Sequence, residues 1–255
     1  MLVYKNLKDA KEKTGLSYMG MVNNSTKHEK AYKYNEMVYT IYLAPANMSG
    51  YEVCAGRTEE CTAVCLNESG RNKMKSDKNL INQARIKKTR LYFEEHDFFC
   101  NWVVDDIKRS KIRAEKNGYR FSVRINNTSD ISPETIYINV NGEKKNVLQL
   151  FPDVQFYDYT KISSRIQLMN KYPNYDVTYS YNGYNMDKCI QMLKNNVRVA
   201  MVFDKVPKEY NNIKVIDGDL SDLRYREPKN IIVGLKFKKV RNKLDVNNKF
   251  VIRTT

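Results

Sequence analysis

Apolar residues in this chain fall into short runs separated by amphipathic stretches, and each run breaks off in a polar cluster. Residues 37–46 (MVYTIYLAPA) are β-branched and aromatic and close at Pro45, which predicts a first strand. Asn79 is placed to cap a long helical region reaching about residue 117, with Phe99, Val103 and Ile107 at helical spacing, Trp102 as a core anchor and Gly118 at the end. Strands are then expected over 119–125, 154–157, 175–179, 197–203, 213–216 and 231–235, with helices over 163–172 and 186–195. Residues 197–203 (VRVAMVF) and 231–235 (IIVGL) are almost wholly apolar, the pattern of strands covered on both faces.

Strand–helix alternation implies parallel strands joined by right-handed crossovers. Six or seven such strands predict an α/β fold, a single-domain partial or complete (β/α) barrel over residues 37–255. Residues 1–36 are polar and irregular and read as an N-terminal extension. In such a fold, chemistry collects where strands hand over to loops at their C-terminal ends. Those ends carry Asp130, Asp158, Lys161, Asp217 and Lys236, expected together on one rim as candidate catalytic residues. Asp158 and Lys161 form an acid–base pair there, or an ion pair that shapes the rim. Asp217 and Asp219, with Asp222, make either a divalent-cation site or an ordinary turn. Residues 127–130 either bind a ligand or cap the next helix. Arg124 points along its strand toward the same rim and suits an anionic ligand. His28 and His96 are isolated, and neither has an assigned role.

The most concentrated chemistry lies in residues 51–71 (YEVCAGRTEECTAVCLNESGR), where Cys54, Cys61 and Cys65 are spaced C-x6-C-x3-C. A helix starting near Cys61 would put Cys61 and Cys65 on one face, with Cys54 reaching in from the preceding loop. Three thiolates can hold a metal centre with one coordination position left open. Unliganded reduced thiols are one alternative. Zinc is another, although it favours paired C-x2-C ligands and a fourth Cys or His. The expected centre is a [4Fe–4S] cluster. Cys100 and Cys189 are expected to be inert, packed thiols.

Composition narrows the class. The chain of 255 residues is 42% hydrophobic with 19 tyrosines, enough for a substantial core and against disorder. The first residues, MLVYKNLKDAKEK, have no apolar core of a signal peptide, and no apolar run is long enough for a bilayer. Five cysteines, an odd number, suit a reducing compartment such as the cytoplasm. The net charge of +15 is concentrated in residues 71–90 and 229–255, each with eight Lys/Arg against one acid. Clustered cations suit phosphate backbones, so Arg85, Lys87, Lys88 and Arg90 are candidate nucleic-acid contacts. The alternative is an ordinary solvated basic surface.

Several ordered blocks, YTIYLAPANMSGYEVC, ECTAVCLNESGR, QARIKKTRLYF, LFPDVQFYDYTK, VIDGDLSDLR and IIVGLK, resemble a bacteriophage protein family described as like gene product 88 of mycobacteriophages. The resemblance covers roughly residues 23–252 and implies a phage-encoded protein made in the bacterial host cytoplasm. More distantly, a three-cysteine loop after a first strand is similar to radical S-adenosylmethionine enzymes. That likeness implies a partial (β/α) barrel, a [4Fe–4S] cluster on Cys54, Cys61 and Cys65, and S-adenosylmethionine on the open iron. This chain departs from that family's C-x3-C-x2-C spacing, has Val64 where an aromatic residue precedes the third cysteine, and lacks a GGE-like run.

Three functions follow as expectations. One is an iron–sulfur enzyme acting on a nucleotide or nucleic acid. Another is a non-catalytic nucleic-acid-binding phage factor stiffened by a cluster or zinc. The third is a metal-dependent nuclease built on Asp217 and Asp219.

Overall fold

The computed structural model describes residues 1–23, 26–68, 79–238 and 247–254. The chain starts with α1 (Leu7–Thr14), capped by Asn6, then β1 (Gly20–Val22), the short α2 (Thr26–Glu29) and β2 (Glu36–Ile41). The cysteine-bearing α3 (Glu59–Ala63) follows, then α4 (Leu80–Glu94) and α5 (His96–Lys116), before β3 (Arg120–Arg124). Next come the hairpin β4 (Tyr137–Val140) and β5 (Glu143–Asn146), α6 (Val147–Leu150), β6 (Gln155–Thr160), α7 (Leu168–Lys171) and β7 (Tyr175–Ser180). The chain finishes with α8 (Met186–Lys194), β8 (Val199–Phe203), β9 (Glu209–Tyr210), β10 (Ile213–Asp217), β11 (Ile232–Lys236) and β12 (Val251–Ile252).

The long helical region expected over 79–117 is two helices. Asn79 does cap the first, accepting from the Asn82 amide at 3.0 Å, but Glu95 leaves helical geometry (φ −132°, ψ 55°) and bends the chain. The β4–β5 hairpin was not anticipated. Its turn is Asn141-Gly142, both at positive φ, the pairing that a two-residue hairpin loop demands.

Among the described residues the main sheet has ten strands, in the order β1-β2-β3-β6-β7-β8-β11-β10-β9, with β12 beside β8. The strands β2 through β10 in that order are parallel, while β1 and β9 pair antiparallel at the two edges. Chain order and spatial order agree from β2 to β8, as in a barrel, and reverse at β11–β10. A closed barrel would bond β2 to β10. Each of those strands has its outer edge occupied by an antiparallel partner, so the sheet is open and the expected barrel is not formed. What holds is a single mixed α/β domain around a mostly parallel sheet.

One face of the sheet packs on α5: Tyr39, Ile41, Val123, Phe156, Tyr175 and Val177 are buried with Phe99, Trp102, Val103 and Ile107. Residues 1–36 belong to this body, because β1 pairs with β2 and Ala10, Leu16 and Met19 lie in the same core. A second cluster joins Cys189, Met192 and Leu193 of α8 to Val199, Met201 and Phe203 of β8. The opposite face is different. There Val38, Tyr157 and Leu223 form a small apolar patch among buried polar side chains, including Ser122, Arg124, Thr178, Arg198, Asp222 and Arg224.

Candidate functional site

The cysteine loop lies over the C-terminal ends of the parallel strands because several polar ties hold it there. Thr58 caps α3, its hydroxyl oxygen accepting from the Cys61 amide at 3.2 Å and the hydroxyl donating to the Asn182 carbonyl beyond β7 at 2.7 Å. Asn182 in turn donates to the Gly56 carbonyl at 3.2 Å. Asn248, just before β12, donates to the Glu60 carbonyl at 3.1 Å, and Val64 packs on Val251, Val202 and Phe250. On the other side the Asp130 amide donates to the Val53 carbonyl at 2.7 Å. The sheet makes room for this loop. β7 pairs with β8 only through Tyr179 and Ser180, and β12 then takes over along Val202 and Phe203.

Cys54 lies in the preceding loop as expected, its thiol 3.8 Å from the Thr128 carbonyl, but α3 runs Glu59–Ala63 and ends before Cys65, so Cys61 and Cys65 do not share a helical face. All five cysteines are free thiols, the three of the loop half-buried and Cys100 and Cys189 buried. Lys161 is the cation of this group. Its amide donates to Asp130 Oδ2 at 2.9 Å, and its side chain lies against Gly56, where an added Cβ would be 2.6 Å from the Lys161 Cβ. Its Nζ is 5.8 Å from the centre of the Phe250 ring.

Burial works against the Lys161 ammonium, but Cys61, Asp130, Cys54 and Cys65 together outweigh it, and its pKa is raised. Burial pushes the Cys54 thiol up to about 12, opposed by the Ala46 backbone and by Lys161. Burial likewise raises Cys65, against the Asn67 backbone and Lys161. Such thiols stay protonated near neutral pH. Among the described residues, no three His, Cys, Asp or Glu side chains stand at the spacing that one metal ion requires.

The other expected rim residues do not converge there. Asp130 is near the thiols but is held by Arg165 (2.5 Å) as well as by the Lys161 amide, which makes it a positioning group. Asp158 is buried beneath the loop after β3, accepting from the Asn126 amide at 2.8 Å and its side chain at 3.0 Å. Burial raises its pKa to about 7. Asp158 and Lys161 are therefore not a pair, since each binds a different part of the 126–130 loop. Asp217 and Lys236 are exposed at the ends of β10 and β11. In an open sheet they lie four and three strands from β6, roughly 19 and 14 Å at about 4.8 Å per strand. Asp217 accepts from the Asp219 amide at 2.8 Å, as in an ordinary turn.

The four candidate nucleic-acid contacts on α4 do not form one surface. Lys88 is buried with its ammonium 4.3 Å from the centre of the Tyr18 ring, out of reach of a phosphate. Arg85 is half-buried, stacks 4.8 Å from the Tyr42 ring centre and donates to Asn67. Lys87 and Arg90 are exposed. The basic residues within 71–78 and 239–246 lie outside the described residues.

Sequence reasoning missed a second polar cluster. His28 is buried, its Nε2 3.1 Å from Asp222 Oδ2. The same carboxylate accepts from Arg124 at 2.6 Å and lies 3.5 Å from the Tyr157 hydroxyl. The charge on Arg124 at the end of β3 was the available signal. Its partner Asp222, 98 residues away along the chain, was not foreseeable.

Fold and site together define an open-sheet α/β protein with a cysteine-lined mouth at the strand C-termini. The family model described as Gene product 88 matches residues 6–254, and the chain belongs to that family of bacteriophage proteins. No curated protein and no solved structure matches the chain, so the likeness to radical S-adenosylmethionine enzymes is not supported. Among the described residues no helix is long and apolar enough to cross a membrane.

Proposed function

We propose that this chain is a phage iron–sulfur protein in which Cys54, Cys61 and Cys65 hold a [4Fe–4S] cluster beside Lys161. One observation carries the proposal: Thr58, Asn182, Asn248 and Asp130 tie the cysteine-bearing loop over the strand C-termini, where Gly56 lies against Lys161. A cluster bound there supplies a redox-active centre with one iron open to a further ligand. The chain's own residues do the rest. Lys161 offsets the negative charge that three thiolates bring, and Asp130 and Gly56 fix where that cation stands. Thr58 and Asn182 hold the loop closed over β7. The net charge of +15 supports an anionic substrate such as a nucleotide or nucleic acid, and the host cytoplasm as the place where reduced thiols persist. S-adenosylmethionine is left out, because the likeness that introduced it has no support.

Anaerobic purification with iron and sulfide analysis and a visible spectrum tests the proposal. Equal iron and sulfide with broad absorbance near 400 nm is the expected result. A colourless, iron-free protein after reconstitution would overturn it, and zinc in its place would favour a structural centre.

A further inference from the structure

The sheet face turned away from α5 carries a set of donors with nothing among the described residues to donate to. Ser122 and Arg124 share this face on β3, as Tyr157 and Tyr159 do on β6. Ser122 and Arg224 are fully buried and Arg124 is 8% exposed. Ser122 Oγ, Arg124 Nε, the Tyr159 hydroxyl and Arg224 Nε are all buried, and none has a hydrogen-bond partner among the described residues. Arg124 and Tyr159 stand together, and Arg224 lies two residues from Asp222, the carboxylate that Arg124 binds. The Arg124 guanidinium is 4.7 Å from the centre of the Tyr159 ring, and Tyr159 is within electrostatic reach of both Arg124 and Arg224.

Neither arginine lacks charge compensation. Arg124 pairs with Asp222 at 2.6 Å and Arg224 with Glu227 at 2.9 Å, and Arg224 also donates to the Gly218 carbonyl at 3.1 Å. The unmet need is for oxygen acceptors, not for countercharge. An unsatisfied buried donor destabilises a fold, so several at one spot call for an account. Each can donate, and a guanidinium Nε–H can do nothing else. Two residues beyond Tyr159, Lys161 adds a cation in the direction of the cysteine mouth.

We propose that this face binds an oxyanion, the carboxylate or phosphate group of a small ligand, on Arg124 Nε, Arg224 Nε and the Tyr159 hydroxyl, with Ser122 farther along β3. The site goes beyond the iron–sulfur proposal and does not rest on it.

Full-length protein, with and without reconstituted cluster, is titrated with inorganic phosphate in one arm and acetate in the other, by calorimetry and by thermal unfolding. Saturable binding to one arm is expected and identifies the oxyanion. Tyr159→Phe removes a hydroxyl that has no partner among the described residues. It should leave the unliganded protein at least as stable as the parent and weaken binding tenfold or more. Arg124→Lys keeps a cation beside Asp222 but loses the directed Nε–H, and should weaken binding similarly. No saturable binding by either anion, unchanged binding in both variants, or a Tyr159→Phe protein less stable than the parent would each overturn the site. Iron content does not enter these readouts, so a failed cluster and a failed oxyanion site remain separate results.

Discussion

Gly56 and Lys161 are in contact across 105 residues of chain: a Cβ on Gly56 would come within 2.6 Å of the Lys161 Cβ and 3.1 Å of its carbonyl carbon. Glycine is required here for space, since backbone atoms on the Lys161 side cannot swing away as a side-chain tip would. Gly56→Ala should therefore lift the cysteine loop from the sheet. The expected result is destabilisation of about 1–3 kcal/mol in urea unfolding together with lower iron retention. Full iron content with unchanged stability would show that the loop does not depend on this contact.

The five thiols should separate into two classes. Cys54→Ser, Cys61→Ser and Cys65→Ser should each lose most of the iron bound on reconstitution, whereas Cys189→Ser, in the α8 core, should keep it. In iron-free protein Cys54 should alkylate slowly near neutral pH. With its thiol pushed up to about 12, the thiolate fraction is on the order of one in ten thousand or less. Mass spectrometry after timed iodoacetamide treatment reads both site and rate.

Asp158 should make stability fall as pH rises. Its folded pKa of about 7 lies above the unfolded value of about 3.9, so between these the native state holds a proton that the unfolded state has released. Stability should decline from about pH 4 to pH 7 and then level off, by at most about 4 kcal/mol from this group. Asp158→Asn should flatten that part of the profile in urea unfolding at pH 5 and pH 7. An equally steep profile in the variant would assign the slope to other groups.

Lys88 gives the opposite sign. Burial lowers its pKa to about 7, below the unfolded value of about 10.4, so stability should rise between about pH 7 and pH 10 as the unfolded state alone keeps its proton. Lys88→Met should stabilise the protein at pH 7 by on the order of 1–3 kcal/mol. Any affinity for single-stranded DNA should be unchanged in this variant, because the ammonium is shielded by Tyr18. A lower affinity would return Lys88 to a phosphate-binding surface.

Strand bodies were readable because their apolar runs are local. β8 lies within 197–203 and β11 overlaps 231–235 but runs one residue further to Lys236, and the Asn79 cap and buried Cys189 also came from short-range pattern. The Asn141-Gly142 hairpin was equally local and its dipeptide signal was overlooked. The candidate site divided along the same line. The three cysteines and Lys161 could be nominated, since a thiol cluster and a strand end are visible in one dimension. Asp217 and Lys236 were placed on the same rim only by assuming closure.

The amino-acid pattern by itself determined a mostly parallel α/β domain and a cysteine loop after its first central strand, because hydrophobic periodicity and residue chemistry are properties of short segments. Whether the sheet closes was decided only in three dimensions, by antiparallel strands occupying the outer edges of β2 and β10. The same holds for the partners of the buried charges. Asp130 meets Arg165, Arg124 meets Asp222 and His28 meets Asp222 through pairings of strands and loops far apart in the chain, and no local preference encodes those distances.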